Sequence, residues 1–392
     1  MGVSFLYFGK IPQLNGAATF FTSLLENKLF FEKELDEEIN FFYLRTDGQH
    51  SLLKAKSSKI KSSLRTMLTK KLCKTFLGSL VYLYIFYQKN AKRVIKNYLL
   101  HRNCRNREIV VFNDIFVGFE ALGQKCLDFS NSVLILHNDG NPLNMLESTL
   151  PQLRSYKMLR ARLSSLLENI SRIVLLSEKA KDNFIRLFPE YSEKTVVINN
   201  GVKLVECKVP NPLESVYGKI IGITIGTVCR RKGYDLLFNA MQELPRAQQD
   251  KIIIFCLGNL GDDIDLSACP ENIVLLDGVE HNLLSSYFAC ADFFLMCSRD
   301  EGVPLSILEA MQFGLPIFST DVGAISDIIN SNGLLFRPDV DDIKKILQGI
   351  IENKYDLDEF ARCSRENYKN YYSLETMIKR YVLLIKDLKN EQ

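Results

Sequence analysis

The sequence predicts two doubly wound α/β domains in succession. Short apolar runs of strand length alternate with helical stretches along the 392-residue chain. A stretch poor in apolar residues and holding two prolines, Lys208 to Lys219, divides that alternation into two series. Glycine and polar clusters follow the apolar runs, as expected where strand carboxyl ends open onto a ligand site. The chain is long enough for two cores.

Val3 to Phe8 reads as a buried strand, followed by a loop through Pro12, Asn15 and Gly16 and a helix from about Ala17 to Phe30. Its single glycine makes this opening a weak phosphate signal. Further strands fit Ile39 to Leu44, Ile109 to Phe112, Val133 to Leu136, Ile173 to Leu176 and Val196 to Ile198, with a helix around Phe116 to Leu122. The fourth strand ends at His137-Asn138-Asp139-Gly140, and Ser177 is placed to cap the helix after the fifth. In the second series, strands fit Ile220 to Ile225, Ile252 to Leu257, Ile273 to Leu276, Phe293 to Met296 and Pro316 to Ser319. Helices near Tyr234 to Glu243, Leu283 to Ala289 and Leu305 to Gln312 separate them, and helices close the chain from about Leu357. Alternation of this kind implies parallel sheets covered on both faces.

Composition narrows the class. Hydrophobic residues make up 47% and charged residues 24%, as in a soluble globular protein, and the net charge is +3. The cations are unevenly placed: Ser51 to Arg107 holds fifteen Lys or Arg and no acidic residue. Ten scattered cysteines without CxxC or zinc spacing imply reduced thiols and a cytosolic compartment. No secretory signal is read at the start, and the longest apolar run, Phe76 to Tyr87, is too short to span a bilayer.

Chemistry collects in the second series. After Ile225, Gly226-Thr227-Val228-Cys229-Arg230-Arg231-Lys232-Gly233 sets three cations beside flexible backbone at a helix entry. Such a turn fits a diphosphate, with a solvated basic turn as the alternative. Gly258-Asn259 and Asp277-Gly278-Val279 follow the next strands and suit backbone contact with a base. After Met296 comes Arg299 to Thr320, with Glu301 in a loop, Pro304 suited to the first helical position and Glu309 within the helix. The free N–H groups near Val303, Pro304, Leu305 and Ser306 would make an anion site. Taken singly, each glutamate reads as a solvated surface charge.

The order GTVCRRKGYDLL, CLGNLGDD, NIVLLDGV, ACADFFLMCSRDEGVPLSILEAMQFGLPIFSTDVGAISDII and NGLLFRP resembles the retaining, GT-B-fold nucleotide-sugar glycosyltransferases of family four. The spacing of Glu301 and Glu309 matches that family's paired-glutamate motif. The resemblance implies two Rossmann-like domains facing across a cleft. The acceptor domain would be residues 1–207, with 373–392 returning to pack on it, and the nucleotide-sugar domain 208–372. It implies that Glu309 binds the donor ribose and that Glu301, with the amides of 303–306, holds the sugar. Arg231 and Lys232 would grip the diphosphate and stabilise its developing charge. Thr227, Asn259 and Val279 would line the donor site, Gly16 would approach the donor phosphates, and Asn15, His137 and Asp139 would face the acceptor.

His137, Glu301, Arg231 and Lys232 are the implied catalytic group, with a structural histidine as the other reading of His137. The family needs neither metal nor cofactor, because Arg and Lys replace a divalent cation. Asp262-Asp263 reads as a solvated turn. Thr227 stands where the family often has Arg, so Arg230 or Arg231 would substitute. Val303-Pro304 stands in place of a common Phe-Gly.

The implied activity is transfer of a hexose or N-acetylhexosamine, UDP-linked, to a lipid-linked or growing glycan acceptor, in cell-surface polysaccharide or glycolipid synthesis. Competing readings are a catalytically silent GT-B subunit acting as co-activator or chaperone, and a nucleotide-sugar epimerase. The basic stretch is either a helix with a solvated cationic face or a dock for an anionic membrane, which would place the protein peripherally on the inner face. Nucleic acid is disfavoured because aromatics and charges are not interleaved.

Overall fold

The computed structural model describes residues 2–11, 16–45, 74–102, 108–124, 127–153, 156–207, 216, 218–279 and 283–391. Asn15 and the part of the basic stretch from 51 to 73 lie outside them, as do residues 103–107.

The short apolar runs pair as two six-stranded parallel sheets. The first is built from β1 (Gly2–Ile11), β2 (Ile39–Arg45), β3 (Glu108–Phe112), β4 (Ser132–Leu136), β5 (Arg172–Leu175) and β6 (Thr195–Val197), in the order β2-β1-β3-β4-β5-β6. The second is built from β7 (Ile220–Ile225), β8 (Ile252–Leu257), β9 (Ile273–Leu276), β10 (Phe293–Met296), β11 (Ile317–Thr320) and β12 (Gly333–Phe336), in the order β12-β11-β10-β7-β8-β9. Every residue of β4, β8 and β10 is buried, the pattern of strands covered on both faces. In each sheet the order reverses beside the first strand of the series, which opens a crevice at that strand's carboxyl end.

The chain divides into two units, residues 1–198 with 378–392 and residues 199–377. The sequence places these points later, at 207/208, and earlier, at 372/373. The first difference has a local cause: Val202 bridges to Ser373 in parallel, and its carbonyl accepts the Tyr368 hydroxyl at 3.1 Å, so residues after 198 are held by the second unit. In the first unit, Ile378, Tyr381, Val382, Ile385 and Leu388 form the buried stripe of the last helix, Leu374–Asn390. There Lys389 pairs with Glu37 at 2.7 Å.

Three further expectations change. β12 adds a strand that the sequence reading passed over, because Gly333–Phe336 is short and opens on glycine. The first long helix breaks at Asn27 into Gly16–Glu26 and Lys28–Leu35. Pro304 is the N-cap of Leu305–Gln312 and not its first residue, since its ψ of 114° is extended. It carries no N–H, and Ile307 N–H already donates to Pro304 O, so neither residue adds a free N–H to the anion site expected at this end.

Candidate functional site

Two loops of the second unit meet at the carboxyl ends of neighbouring strands β7 and β10. The β7 loop turns sharply at Gly233, whose φ of 73° and ψ of 20° lie in the left-handed region. A Cβ there would strike the Cys297 carbonyl just past β10. The β10 loop is set from its other side by Gly323, φ 58°, whose missing Cβ leaves room for the Glu301 carbonyl. Glycine at these two points lets the loops close on each other.

Between them lies an ion pair. Lys232 Nζ stands 2.5 Å from Glu301 Oε1, and the side chains are 16% and 8% exposed. Ser298 Oγ donates to the same oxygen at 2.6 Å, and Thr320 Oγ1 donates to Ser298 O at 2.6 Å. Arg231 Nη1 reaches across to the Asp300 carbonyl at 2.9 Å. Arg299 grips Asp235 through two bonds of 2.7 and 2.8 Å, tying the β10 loop to the helix Tyr234–Gln242. Burial works against the Asp235 carboxylate, but Arg299 outweighs it and holds its pKa below the ordinary value.

The other residues that the sequence assigns to the donor lie in the same unit. Thr227, Arg230 and Asn259 are exposed, and Val228 N–H donates to the Asn259 carbonyl at 2.9 Å. Asp263 accepts the Arg230 backbone N–H at 3.2 Å, so this carboxylate shapes the β7 loop. Val279, Val303 and Leu305 are partly buried against the second unit's core, Pro304 is buried, and Ser306 and Glu309 are half-buried. Glu309 lies within the helix whose N-terminus follows the Glu301 loop.

In the first unit, Gly16 starts a helix after β1, and His137 and Asp139 follow β4. Asn113, directly after β3, joins them: its Nδ2 donates to Ala17 O at 3.4 Å and its Oδ1 lies 2.8 Å from His137 Nε2. With that amide orientation, read from the hydrogen-bond network, Nε2 is the donor and Nδ1 keeps its lone pair. His137 Nδ1 and Asn138 Oδ1 are buried acceptors without a hydrogen-bond partner among the described residues. Burial lowers the His137 pKa to about 3, so the ring stays neutral. Asp139 is occupied with its own turn, accepting from Asn141 N–H at 3.3 Å and Asn144 Nδ2 at 3.1 Å.

Sequence reasoning missed Asn113, Ser298, Asp235, Arg299 and Thr320 as parts of these sites. The available signal for Asn113 and Ser298 was position, a polar residue immediately after an apolar strand.

The family model described as Glycosyl transferases group 1 matches residues 219–353. Among curated proteins, the chain is 29% identical over 39% of its length to sulfoquinovosyl transferase SQD2 of Arabidopsis thaliana. It is 24% identical over 53% of its length to the phosphatidylinositol N-acetylglucosaminyltransferase gpi3 subunit of Schizosaccharomyces pombe. The matches span 31% and 46% of those two proteins. Among solved structures, Anabaena HepE in complex with UDP superposes with a TM-score of 0.67 at 14% identity, covering 99% of this chain and 100% of that one. Residues 219–353 are thus similar to the glycosyl transferases group 1 model, and the chain has the two-domain, Rossmann-like GT-B fold.

Proposed function

We propose that this chain is a retaining, metal-independent glycosyltransferase of family four. It moves a hexose or N-acetylhexosamine from a UDP-linked donor to a lipid-linked or growing glycan acceptor, in cell-surface polysaccharide or glycolipid synthesis. The observation that carries the reading is the Lys232–Glu301 pair, which sets a cation and a carboxylate side by side where the β7 and β10 loops converge. A UDP-bound neighbour supports the donor class, and a relative named as a phosphatidylinositol N-acetylglucosaminyltransferase subunit supports the acceptor class.

In the proposed reaction the bond from sugar C1 to the diphosphate oxygen breaks as the acceptor hydroxyl oxygen bonds to C1 from the same face. The acceptor proton passes to the departing phosphate oxygen, so no dedicated base is needed. Lys232, with Arg230 and Arg231, stabilises the charge gathering on the diphosphate, as do the N–H groups of Leu305 and Ser306. Glu309 accepts from the ribose hydroxyls. Glu301 orients both Lys232 and the sugar. His137 Nδ1, on a neutral ring and without a hydrogen-bond partner among the described residues, accepts a sugar hydroxyl. With a lipid-linked acceptor, the protein would work peripherally at the inner face of an anionic membrane.

The test is a nucleotide-sugar panel scored by nucleotide release with membrane extract as acceptor. One UDP-sugar is expected to dominate, with an α-configured donor giving an α-linked product, turnover unchanged by EDTA and lost in Glu309→Gln. Wild-type turnover in that variant would remove the ribose assignment, and an inverted product would remove the mechanism.

A further inference from the structure

The segment Phe76–His101 runs as helix through Phe76–Leu83, a π turn at Tyr84–Gln88 and Lys89–His101. Its inner face is fixed to the first unit's core by Tyr82, Leu83, Ala91, Val94, Ile95 and Tyr98. The outer face of such a helix ordinarily carries polar residues. Here the first half of that face is apolar: Leu77 is 71% exposed, and Phe76, Val81, Tyr84 and Ile85 are each more than two-fifths exposed. The second half is cationic, with Lys89, Lys92, Arg93 and Lys96 exposed, and Lys74 precedes the stripe. No Asp or Glu occurs from Lys74 to Arg102. Lys92 Nζ sits 5.3 Å from the centre of the Tyr84 ring, so the aromatic and cationic halves adjoin. The Phe76 ring packs on Tyr156 at 5.5 Å, beside Met158, which is 61% exposed and extends the apolar area.

We infer that this face inserts into the interfacial region of an anionic lipid bilayer. Leu77, Val81, Tyr84 and Ile85 enter the acyl boundary, and Lys89, Lys92, Arg93 and Lys96 rest on the headgroups. The charge pattern selects the occupant. A contiguous apolar stripe grading into cations, in a segment that holds no acidic residue of its own and has Glu120 beside Lys92 and Lys96, complements a surface that is apolar below and negative above. A tyrosine at the junction suits the headgroup level. This inference names the surface used by the membrane-facing acceptor reading and rests on that reading, but it is measured by lipid binding alone. A vesicle-bound protein without transferase activity would fail only the earlier proposal.

The sequence contains no tryptophan, so Tyr84→Trp gives the full-length protein a single reporter. With vesicles of phosphatidylcholine containing phosphatidylglycerol, its emission is expected to shift to the blue and to be quenched by brominated acyl chains. With phosphatidylcholine alone no shift is expected. In flotation, Leu77→Ser with Ile85→Ser is expected to weaken binding at least about tenfold while every cation remains. Lys92→Gln with Lys96→Gln is expected to weaken it about 30-fold. All these side chains are exposed, and unchanged thermal melting confirms that the variants fold. Unshifted emission on anionic vesicles, or unaltered flotation of the serine variant, would overturn insertion. Self-association that the serine variant abolishes, without lipid binding, would reassign the face to a second copy of the chain.

Discussion

At the scale of residues, the asymmetry between breaking an ion pair and removing it decides what Lys232 does. Lys232→Met strips a donor from a carboxylate that is only 8% exposed and leaves it with Ser298. Partial exposure and the remaining bond reduce the usual penalty, so a loss of about 1–2 kcal/mol is expected in urea unfolding. Adding Glu301→Gln should restore most of that stability without restoring turnover, since in the proposed reaction the diphosphate still lacks Lys232. Recovery of both would make the pair purely structural. His137 gives a second residue-level prediction. The unfolded chain takes up a proton near pH 6.5 that the native ring refuses down to about 3. Stability therefore falls as pH drops below about 6.5 and continues to fall to about 3. His137→Gln should flatten that dependence in pH-resolved melts, and an unchanged curve would show that the ring is not buried as described.

At the scale of elements, the two site loops were readable because each ends a strand. The charged residues of RRKG and Glu301 stood past strand ends in the sequence, with Glu309 in the helix that follows, and the structure places Arg231 and Lys232 against the Glu301 loop. Partnership was not readable. Lys232 and Glu301 are separated by 69 positions, and only parallel pairing of β7 with β10 brings their loops together. Asn113 was hidden for the same reason, since nothing local distinguishes a strand-end polar residue that bonds to the loop after the next strand. β12 was lost to its length, and Pro304 was put one position too far into its helix because a proline suits N1 as well as the cap. What holds the β7 loop closed can be tested at Gly233. Alanine there must adopt φ 73° and also meets the Cys297 carbonyl, whereas alanine at Gly218, φ 81°, meets nothing within 4 Å. Gly218→Ala should cost about 1 kcal/mol and Gly233→Ala more than about 2. Equal costs in chemical denaturation would mean that the backbone and not the Cys297 contact sets the requirement.

At the scale of the whole molecule, the chain has separate cores. The first unit's core runs through Phe112, Leu134 and Phe184, and the second's through Phe238, Leu295 and Phe318. All the residues proposed to bind the donor but Gly16 belong to residues 199–377, whereas the last helix contributes Tyr381 and Ile385 to the first unit. Two calorimetric transitions with distinct ligand responses are therefore expected. UDP at a hundred times its Kd adds about 2.7 kcal/mol to whatever folded unit binds it. That stabilisation should raise the second unit's transition and leave the other in place. Tyr381→Ala, which empties a fully buried aromatic site, should lower the other transition by about 3–5 kcal/mol and leave the UDP-dependent one unmoved. Glu309→Gln should erase the UDP shift. A single transition displaced by both UDP and Tyr381→Ala would show that the units unfold together, and the donor site would then report on the stability of the entire chain.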